Sequence, residues 1–519
     1  MTSASDPEQV PTLVHGFIRH AERSPSAVAI VDGGSRITYH ELARASERVR
    51  RDLVTVGVRP GDRVGINMKR SWRAAAAIIG TLSAGASYVP LDPGYPESRR
   101  RVMAEDCRLR AVCVDEEHAS APWPGLSRVI VSGRAAETTV LADAAATSGY
   151  VMYTSGSTGR PKGVPIPQAH VLELFSGACR SVFSFNSDDV WTLCHSYSFD
   201  FSVWEMWGAL LFGGTLVIAD EALSRDPPGL LDLLQTERAS VLSQVPTQFK
   251  YLVRAYEVEY RPLDSLRYVV FGGEAMDNAS VRRWLSMRPG PEQLINMYGI
   301  TETTVHVTAA IITSEDVGVD SAPTRIGRPL PHLRVALLGP DNTVATGAEP
   351  GEICVSGNTL TSGYLGQAEL TADRFPVRDL DGSGVRRWYR SGDLACREIS
   401  GDLLYLGRLD SQVNLHGFRI ELGEIEAALR TTDEVIDAAA AVASMSSGIR
   451  TLVALVVAAR AFNERDVGQL RERCRNRLPT FMVPDRICVV DKIPTMPGGK
   501  VDRSMVAEVA RQMSSRSPG

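Results

Sequence analysis

From Pro228 to Gly299 short β-branched apolar runs alternate with stretches of helical spacing. Pro227 and Pro228 open a helical run, LLDLLQTERA. SVLSQVP is a strand, LRYVVFGG a second strand ending in glycines, SVRRWLSM a helix and QLINMYG a third strand. The alternation predicts βαβ units, hence an α/β fold with a largely parallel sheet. Ligands of such sheets sit beyond the carboxyl ends of the strands, so a site is expected among the polar and glycine residues that follow them. From Ala74 to Leu91 no charge occurs, but the stretch is rich in Ala, Gly and Ser and contains Pro90. It predicts a buried helix running into a strand, not a membrane span. The segment Tyr389 to Gly407 predicts two short strands around a Gly-Asp turn, and the polar GRLDSQ after it places a domain boundary at about Asp410. Beyond it, a helix from Glu424 to Arg430, strands near Val435 to Ala443 and Thr451 to Val457, and a helix around Val467 to Arg477 predict a small α+β module. The ending RQMSSRSPG predicts a disordered tail. The expected organisation is therefore a large core over 1–409 with parallel and mixed sheets, a small domain over 410–509 and a tail over 510–519.

Composition narrows the function class. The 519 residues are 44% hydrophobic and 23% charged, an ordinary globular balance for two or more domains, and a net charge of -5 gives no basic footprint for nucleic acid. The opening MTSASDPEQVPT lacks the basic and apolar regions of a signal peptide, which predicts a cytoplasmic protein with no membrane partner. The eight cysteines form no CxxC pair and no Cys/His spacing suited to zinc, so free buried thiols and no structural metal are expected. Of 56 basic residues only five are lysine, and two of these, Lys162 and Lys500, fall in glycine-rich motifs where a compact ammonium suits an anion.

The strongest local signal is Thr154 to Gly163, TSGSTGRPKG, preceded by the apolar strand YVMY. Three glycines and four hydroxyl residues can wrap phosphate oxygens with N–H and O–H donors while Lys162 supplies charge. It departs from the GxxxxGK[ST] phosphate loop, because Pro161 precedes the lysine and Gly163 follows it. In composition alone it is equally a flexible surface turn.

TSGSTGRPKG resembles the signature loop of the adenylate-forming superfamily, which includes acyl-CoA synthetases, luciferases and the adenylation domains of nonribosomal peptide synthetases. The order of the remaining motifs resembles those adenylation domains: ITYHEL, LSAGASYVPLD, FDFSVWE, NMYGITETT, GEICVSG, YRSGDL, GRLDSQVNLHGFRIELGEIE, LPTFMVP and GGKVDR. Ten ordered motifs span nearly the whole chain. The resemblance implies an AMP-forming ligase that uses ATP and Mg²⁺, built as a large core with a small mobile C-terminal domain.

Under that resemblance Thr154, Ser155, Gly156, Ser157, Thr158 and Gly159 hold phosphates. Tyr298 stacks on adenine, Asn296 with Gly273 and Glu274 meets its polar edge, and Asp393 assisted by Arg408 accepts the ribose hydroxyls. Thr301 and Lys162 contact phosphate, and Glu302 holds magnesium, a hard cation that suits a carboxylate. Lys500 bridges the substrate carboxylate and the α-phosphate, where two anions must meet. Asp410 matches the hinge. The motif after it reads QVNLHG where QVKIRG is usual, so Asn414 and His416 replace two cations and put in doubt the carrier contacts. On residue type alone, Asp393 also reads as a turn aspartate, and for Lys500 a solvated lysine in a Gly-rich turn is the stronger reading.

Asp200 in FDFSVWE resembles the aspartate that pairs with the substrate's α-ammonium in the amino-acid-activating branch, which fatty-acid and aryl-acid ligases lack. A surface Asp capping the helix VWEMWGALL is the plain alternative. The pocket positions carry Asp200, Phe201, Trp204, Ser243, Val270, Gly272, Met297, Val305, His306 and Lys500, a string similar to the threonine pattern, with Ser243 and Val270 where asparagine and isoleucine are more usual. Trp204 and Met297 shorten such a pocket, Val270 and Val305 receive a methyl, and His306 and Ser243 hydrogen-bond a hydroxyl. L-threonine is the expected substrate, with serine and modified threonines next. An acyl-CoA or aryl-acid ligase, or a nucleotide-binding protein that has lost catalysis, would also carry much of this motif set. Sixteen residues follow Arg503 (519 minus 503), too few for a carrier domain, so a separate carrier protein bearing phosphopantetheine is the expected partner. The resemblance leaves open a small MbtH-like activator.

Overall fold

A computed structural model describes residues 11–121, 123–132, 141–142, 148–156, 161–288, 290, 292–319, 323–444, 450–496 and 501–515. The chain divides into two compact units. One comprises 1–92, 104–152 and 163–409, and the other 93–103, 153–162 and 410–519.

The first unit is built on two sheets. In one of them the strands Thr215–Ile218, Val190–Leu193, Val241–Gln244, Tyr268–Phe271 and Gln293–Tyr298 lie side by side in that order, all parallel. The βαβ alternation in the sequence is thus realised, with helices Pro227–Thr236, Pro246–Val258 and Asn278–Met287 as crossovers. Thr308–Ile312 then adds antiparallel to Gln293–Tyr298, which makes the sheet mixed. In the second sheet Arg63–Asn67 pairs in parallel with Ser87–Pro90 and with Ala111–Val114. The charge-free stretch forms the buried helix Trp72–Ser83 and the strand Ser87–Pro90 as expected. Among the described residues no helix is long and apolar enough to cross a membrane.

Helix Phe201–Phe212 shows how sequence sets position. All twelve of its residues are buried, as an all-round apolar helix requires. Gly208 admits Trp191 against the helix: a Cβ there would lie 2.3 Å from the indole. Gly213, at φ 80°, ends the helix in the left-handed conformation that glycine adopts without a Cβ clash. The helix carries Trp204 into an aromatic cluster, stacked on Phe175 at 4.9 Å and 8° and flanked by Phe183, Phe185 and Trp191.

In the second unit Val435–Ser444, Arg450–Ala458 and Arg486–Val489 form a three-stranded sheet, accompanied by helices Leu422–Leu429, Glu464–Arg475 and Arg503–Ser515. Asn463 begins Glu464–Arg475 with a capping box closed by Asp466. The hairpin Gln412–Leu415 with Phe418–Glu421 turns at His416 and Gly417, both at positive φ (53° and 81°), as a two-residue type I′ turn demands. The disordered tail expected from Ala510 onward is corrected in part. The last helix runs to Ser515, because Val506 and Ala510, one helical turn apart, are both buried against the sheet. Residues 516–519 lie outside the described residues. All eight cysteines are free; Cys179, Cys396 and Cys488 are only partly buried.

Candidate active site

The expected pocket residues converge at the carboxyl ends of adjacent parallel strands. Ser243 and Val270 are register partners on neighbouring strands, Gly272 follows Phe271, and Met297 precedes Tyr298 on the next strand. Asp200 and Phe201 follow Val190–Leu193 at the start of the buried helix. All nine of the described pocket residues are buried. His306 meets Phe201 edge-on at 5.2 Å and 87° and Trp204 at 5.1 Å and 84°. A Cβ on Gly272 would lie 3.3 Å from Phe201 Cε1 and 3.4 Å from His306 Cε1, so glycine keeps this space open. Lys500, the tenth position, lies outside the described residues.

A strained turn delivers His306. Thr304 and Val305 both have positive φ, 69° and 62°, and the His306 N–H donates to the Thr304 carbonyl at 2.8 Å. That is a γ-turn centred on a β-branched residue, a conformation proteins keep chiefly at functional sites. Gly299 makes it sterically feasible, since a Cβ there would lie 1.9 Å from the Val305 carbonyl oxygen. Thr304 Oγ1 braces the turn on the Thr359 carbonyl at 2.8 Å.

The polarity of the pocket is unsatisfied. Ser243 Oγ and both ring nitrogens of His306 are buried without a hydrogen-bond partner among the described residues. Such atoms cost about 1–3 kcal/mol each when left bare, and they are met by ligand or water. Asp200 is 6% exposed and sits at the helix N-terminus, yet its side chain makes no capping bond. It is therefore neither a surface residue nor a side-chain cap, the two features of the plain alternative.

Burial pushes the His306 pKa down to about 3, and those of His170 and His332 to about 4. Their unfolded value is near 6.5, so the unfolded chain binds more protons between pH 6.5 and these depressed values. The stability they contribute is present above pH 6.5 and is lost as pH falls, by about 1.4 kcal/mol per pH unit for each fully buried neutral histidine. Urea midpoints measured between about pH 6.5 and 4 are expected to fall, and the slope to become shallower in His306→Asn. An unchanged slope would show that His306 is not held neutral.

The nucleotide-side residues of the first unit form a second group. Asp393 lies in the strand Tyr389–Arg397, not in a turn, opposite Arg408 in the register. Its Oδ1 accepts from Arg408 at 2.9 Å and from Tyr405 at 3.2 Å, and Oδ2 from the Tyr298 hydroxyl at 2.8 Å. Tyr298 is thereby fixed at the strand end. Glu302 is fully buried in the short turn Thr301–Thr303, with Oε1 accepting from the Tyr364 hydroxyl at 2.8 Å. Glu274 follows Gly273, whose φ is 80°. Its Oε2 accepts from Thr247 N at 3.0 Å and Oγ1 at 2.6 Å, and its Oε1 is buried without a partner among the described residues. Asn296 is already engaged, donating through Nδ2 to the Arg325 carbonyl at 2.7 Å.

Thr154, Ser155, Gly156, Lys162 and Asp410 belong to the second unit. Ser155 Oγ donates to the Arg419 carbonyl at 2.8 Å and accepts from Glu421 N at 3.2 Å. Lys162 Nζ is buried, 3.8 Å from Glu421 Oε1. Asp410 Oδ1 accepts from Gln412 N at 3.1 Å. Ser157, Thr158 and Gly159 lie outside the described residues.

Sequence reasoning missed Tyr364, Tyr405 and the His195–Glu205 pair. Tyr405 and Arg408 stand three apart on one strand, a spacing that alternation assigns to opposite faces, and a register shift in the ladder lets both reach Asp393. The other bonds depend on tertiary packing, which no spacing rule reports.

Residues 17–365 match the AMP-binding enzyme family and residues 424–500 the AMP-binding enzyme C-terminal domain. A plipastatin synthase of Bacillus subtilis (strain 168) is 38% identical over 507 residues, which are 96% of this chain and 19% of that protein. Syringomycin synthase of Pseudomonas syringae pv. syringae is 35% identical over 524 residues, 98% of this chain and 84% of that one. The chain spans about a fifth of the length of two Bacillus subtilis relatives it matches, the plipastatin synthase and a dimodular nonribosomal peptide synthase. Among solved structures, a nonribosomal peptide synthetase protein containing adenylation and PCP domains, bound to a vinylsulfonamide inhibitor, superposes with a TM-score of 0.82. Its identity is 27%, over 96% of this chain and 84% of that one. A four-domain nonribosomal peptide synthetase bound to AMP and glycine is 30% identical with a TM-score of 0.69, over 96% of this chain and 36% of that one.

Proposed function

This chain belongs to the AMP-binding enzymes, as an adenylation domain of the nonribosomal peptide synthetase type and so an AMP-forming ligase, and on that premise we propose that it activates L-threonine. The carrying observation is that Asp200, Ser243 and His306 are all buried, with Ser243 Oγ and both His306 ring nitrogens lacking a partner among the described residues. Asp200 pairs with the α-ammonium, Phe201, Trp204 and Met297 bound the pocket, and Val270 and Val305 meet the methyl. Ser243 and His306 hydrogen-bond the hydroxyl, with the neutral imidazole able both to donate and to accept.

In the reaction a carboxylate oxygen of threonine attacks the α-phosphorus of ATP. The new O–P bond gives threonyl-AMP and the bond to the β-phosphate breaks, releasing pyrophosphate. Positioning and charge stabilisation carry such a step. Tyr298, held by Asp393, orients the nucleoside, with Arg408 and Tyr405 fixing the carboxylate that reads the ribose. Gly273, Glu274 and Asn296 border the adenine; Thr154, Ser155, Gly156, Ser157, Thr158, Gly159, Thr301 and Lys162 serve the phosphates; and Lys500 meets the incoming carboxylate. Glu302 suits Mg²⁺, because a single buried carboxylate oriented by Tyr364 matches a cation that takes one or two protein carboxylates beside nucleotide phosphates. When bound, Mg²⁺ supplies charge neutralisation at the phosphates. The small domain from Asp410 onward then serves transfer to the phosphopantetheine thiol of a carrier protein, a partner supported by the adenylation–PCP structure this chain resembles. An MbtH-like activator stays within this reading.

Exchange of labelled pyrophosphate into ATP, measured across the twenty amino acids, tests the assignment. Threonine is expected to give the highest kcat/KM. Valine, which leaves polar groups bare, should fall at least about tenfold below it, and serine, lacking one methyl, only about fivefold. An equal or absent response to threonine would overturn the assignment.

A further inference from the structure

We infer that His195, fixed by Glu205, is a positioning residue that holds Phe201 in place and thereby sets how tightly the amino acid's side chain is gripped. The inference deepens the amino-acid pocket proposed above and rests on that reading.

His195 lies in the loop between the strand Val190–Leu193 and the helix Phe201–Phe212. From inside that helix the fully buried Glu205 reaches back to the loop. Its Oε1 accepts from Cys194 N at 3.1 Å, and its Oε2 from His195 N at 3.1 Å. Those two bonds alone tie loop to helix. The imidazole adds a third, with Nδ1 2.9 Å from Glu205 Oε1. That bond fixes the plane of the ring.

That plane matters because of what lies against it. The His195 ring stacks on Phe201 at 4.6 Å and 20°, while Phe199 meets it edge-on at 5.4 Å and 85°. His306, the pocket's hydrogen-bonding group, meets Phe201 edge-on at 5.2 Å. Phe201 is thus held between a ring oriented by a buried carboxylate and a ring that faces the substrate. A Cβ at Gly272 would stand only 3.3 Å from Phe201 Cε1, so a small rotation of that ring changes the width of the pocket. Glu205 is a fully buried carboxyl group in a helix whose other side chains, Ser202 apart, are apolar, a costly choice for a loop tie that smaller polar groups could make. A fixed imidazole over the pocket wall accounts for it.

The test measures pyrophosphate exchange with the amino acid that the wild-type protein itself prefers, in His195→Ala, His195→Phe and Glu205→Gln. For His195→Ala we expect the amino-acid KM to rise about tenfold with the ATP KM within about twofold, because displacement of one wall affects only the ligand it touches. His195→Phe keeps the stacked surface without the tie and is expected to recover part of that loss, to the level of Glu205→Gln. Preference between substrates differing by one methyl should narrow in all three. An amino-acid KM that does not move, or one that rises in step with the ATP KM, would overturn the inference and mark the pair as structural. If His195→Ala fails to fold, the same comparison on His195→Phe and Glu205→Gln decides. Should the wild-type protein prefer an amino acid other than threonine, the substrate assignment falls while this test stands.

Discussion

Asp200→Asn is expected to remove amino-acid-dependent pyrophosphate exchange by about 10²- to 10³-fold, because truncating one partner of a buried ion pair costs about 3–5 kcal/mol. Asparagine keeps the volume of the side chain and suits a helix N-terminus, so the buried helix behind it should be undisturbed. The thermal midpoint is expected to stay near wild type, since the substitution conserves the volume of a buried side chain. The ATP KM should stay near wild type, the change being confined to the ammonium. A sharper reading comes from the 2-hydroxy counterpart of threonine, which presents a neutral hydroxyl where the ammonium would be. The wild-type protein should reject it, and the variant, whose amide can bond a hydroxyl, should narrow the gap between the two. If Asp200→Asn keeps the wild-type KM for threonine, Asp200 is not the ammonium partner and the amino-acid reading loses its main support.

The site was legible where it follows from topology. Ser243 is the penultimate residue of its strand, Gly272 follows the next and Tyr298 ends the third, all recognisable from apolar β-branched runs, and parallel strands bring their carboxyl ends together. Burial was not legible. Asp200 precedes a helix that is apolar apart from Ser202 and Glu205, and helical periodicity cannot tell such a helix from one with an exposed N-terminus. At Asp393 the plain alternative fails: SGD has the composition of a turn, but pairing with Leu403–Arg408 draws it into a strand and sets its carboxylate beside Arg408. Local propensity yields there to a long-range ladder. The last helix was misread for a related reason. Its Ser- and Arg-rich ending looks like a solvated tail, yet only Val506 and Ala510 need to face inward to hold it. The bonds His195–Glu205 and Tyr364–Glu302 join residues 10 and 62 positions apart, the first across a loop and the second across four strands of sequence, and only the folded chain reports them.

On the proposed function, Lys500→Ala is expected to cut aminoacyl-AMP formation by about 10²- to 10³-fold while sparing the transfer that follows. Attack of a carboxylate on the α-phosphate brings two anions together, and charge develops on the phosphoryl oxygens as the bond to the β-phosphate lengthens. Removing a single preorganised donor from such a centre costs about 10²- to 10³-fold in kcat. Transfer is a different problem: a neutral thiol must be deprotonated and attack an acyl phosphate already formed, with AMP leaving, and no second anion has to be drawn in. Pyrophosphate exchange should therefore collapse, whereas acylation of a pantetheine thiol by preformed threonyl-AMP should stay within a few fold of wild type. Lys500→Arg discriminates further. This chain writes arginine at all but five of its 56 basic positions, so retention of lysine in GGKVDR argues that a guanidinium does not serve, and the arginine variant is expected to recover little. Equal loss of exchange and transfer in Lys500→Ala would contradict a role confined to the first step, and unimpaired exchange would remove Lys500 from the machinery altogether.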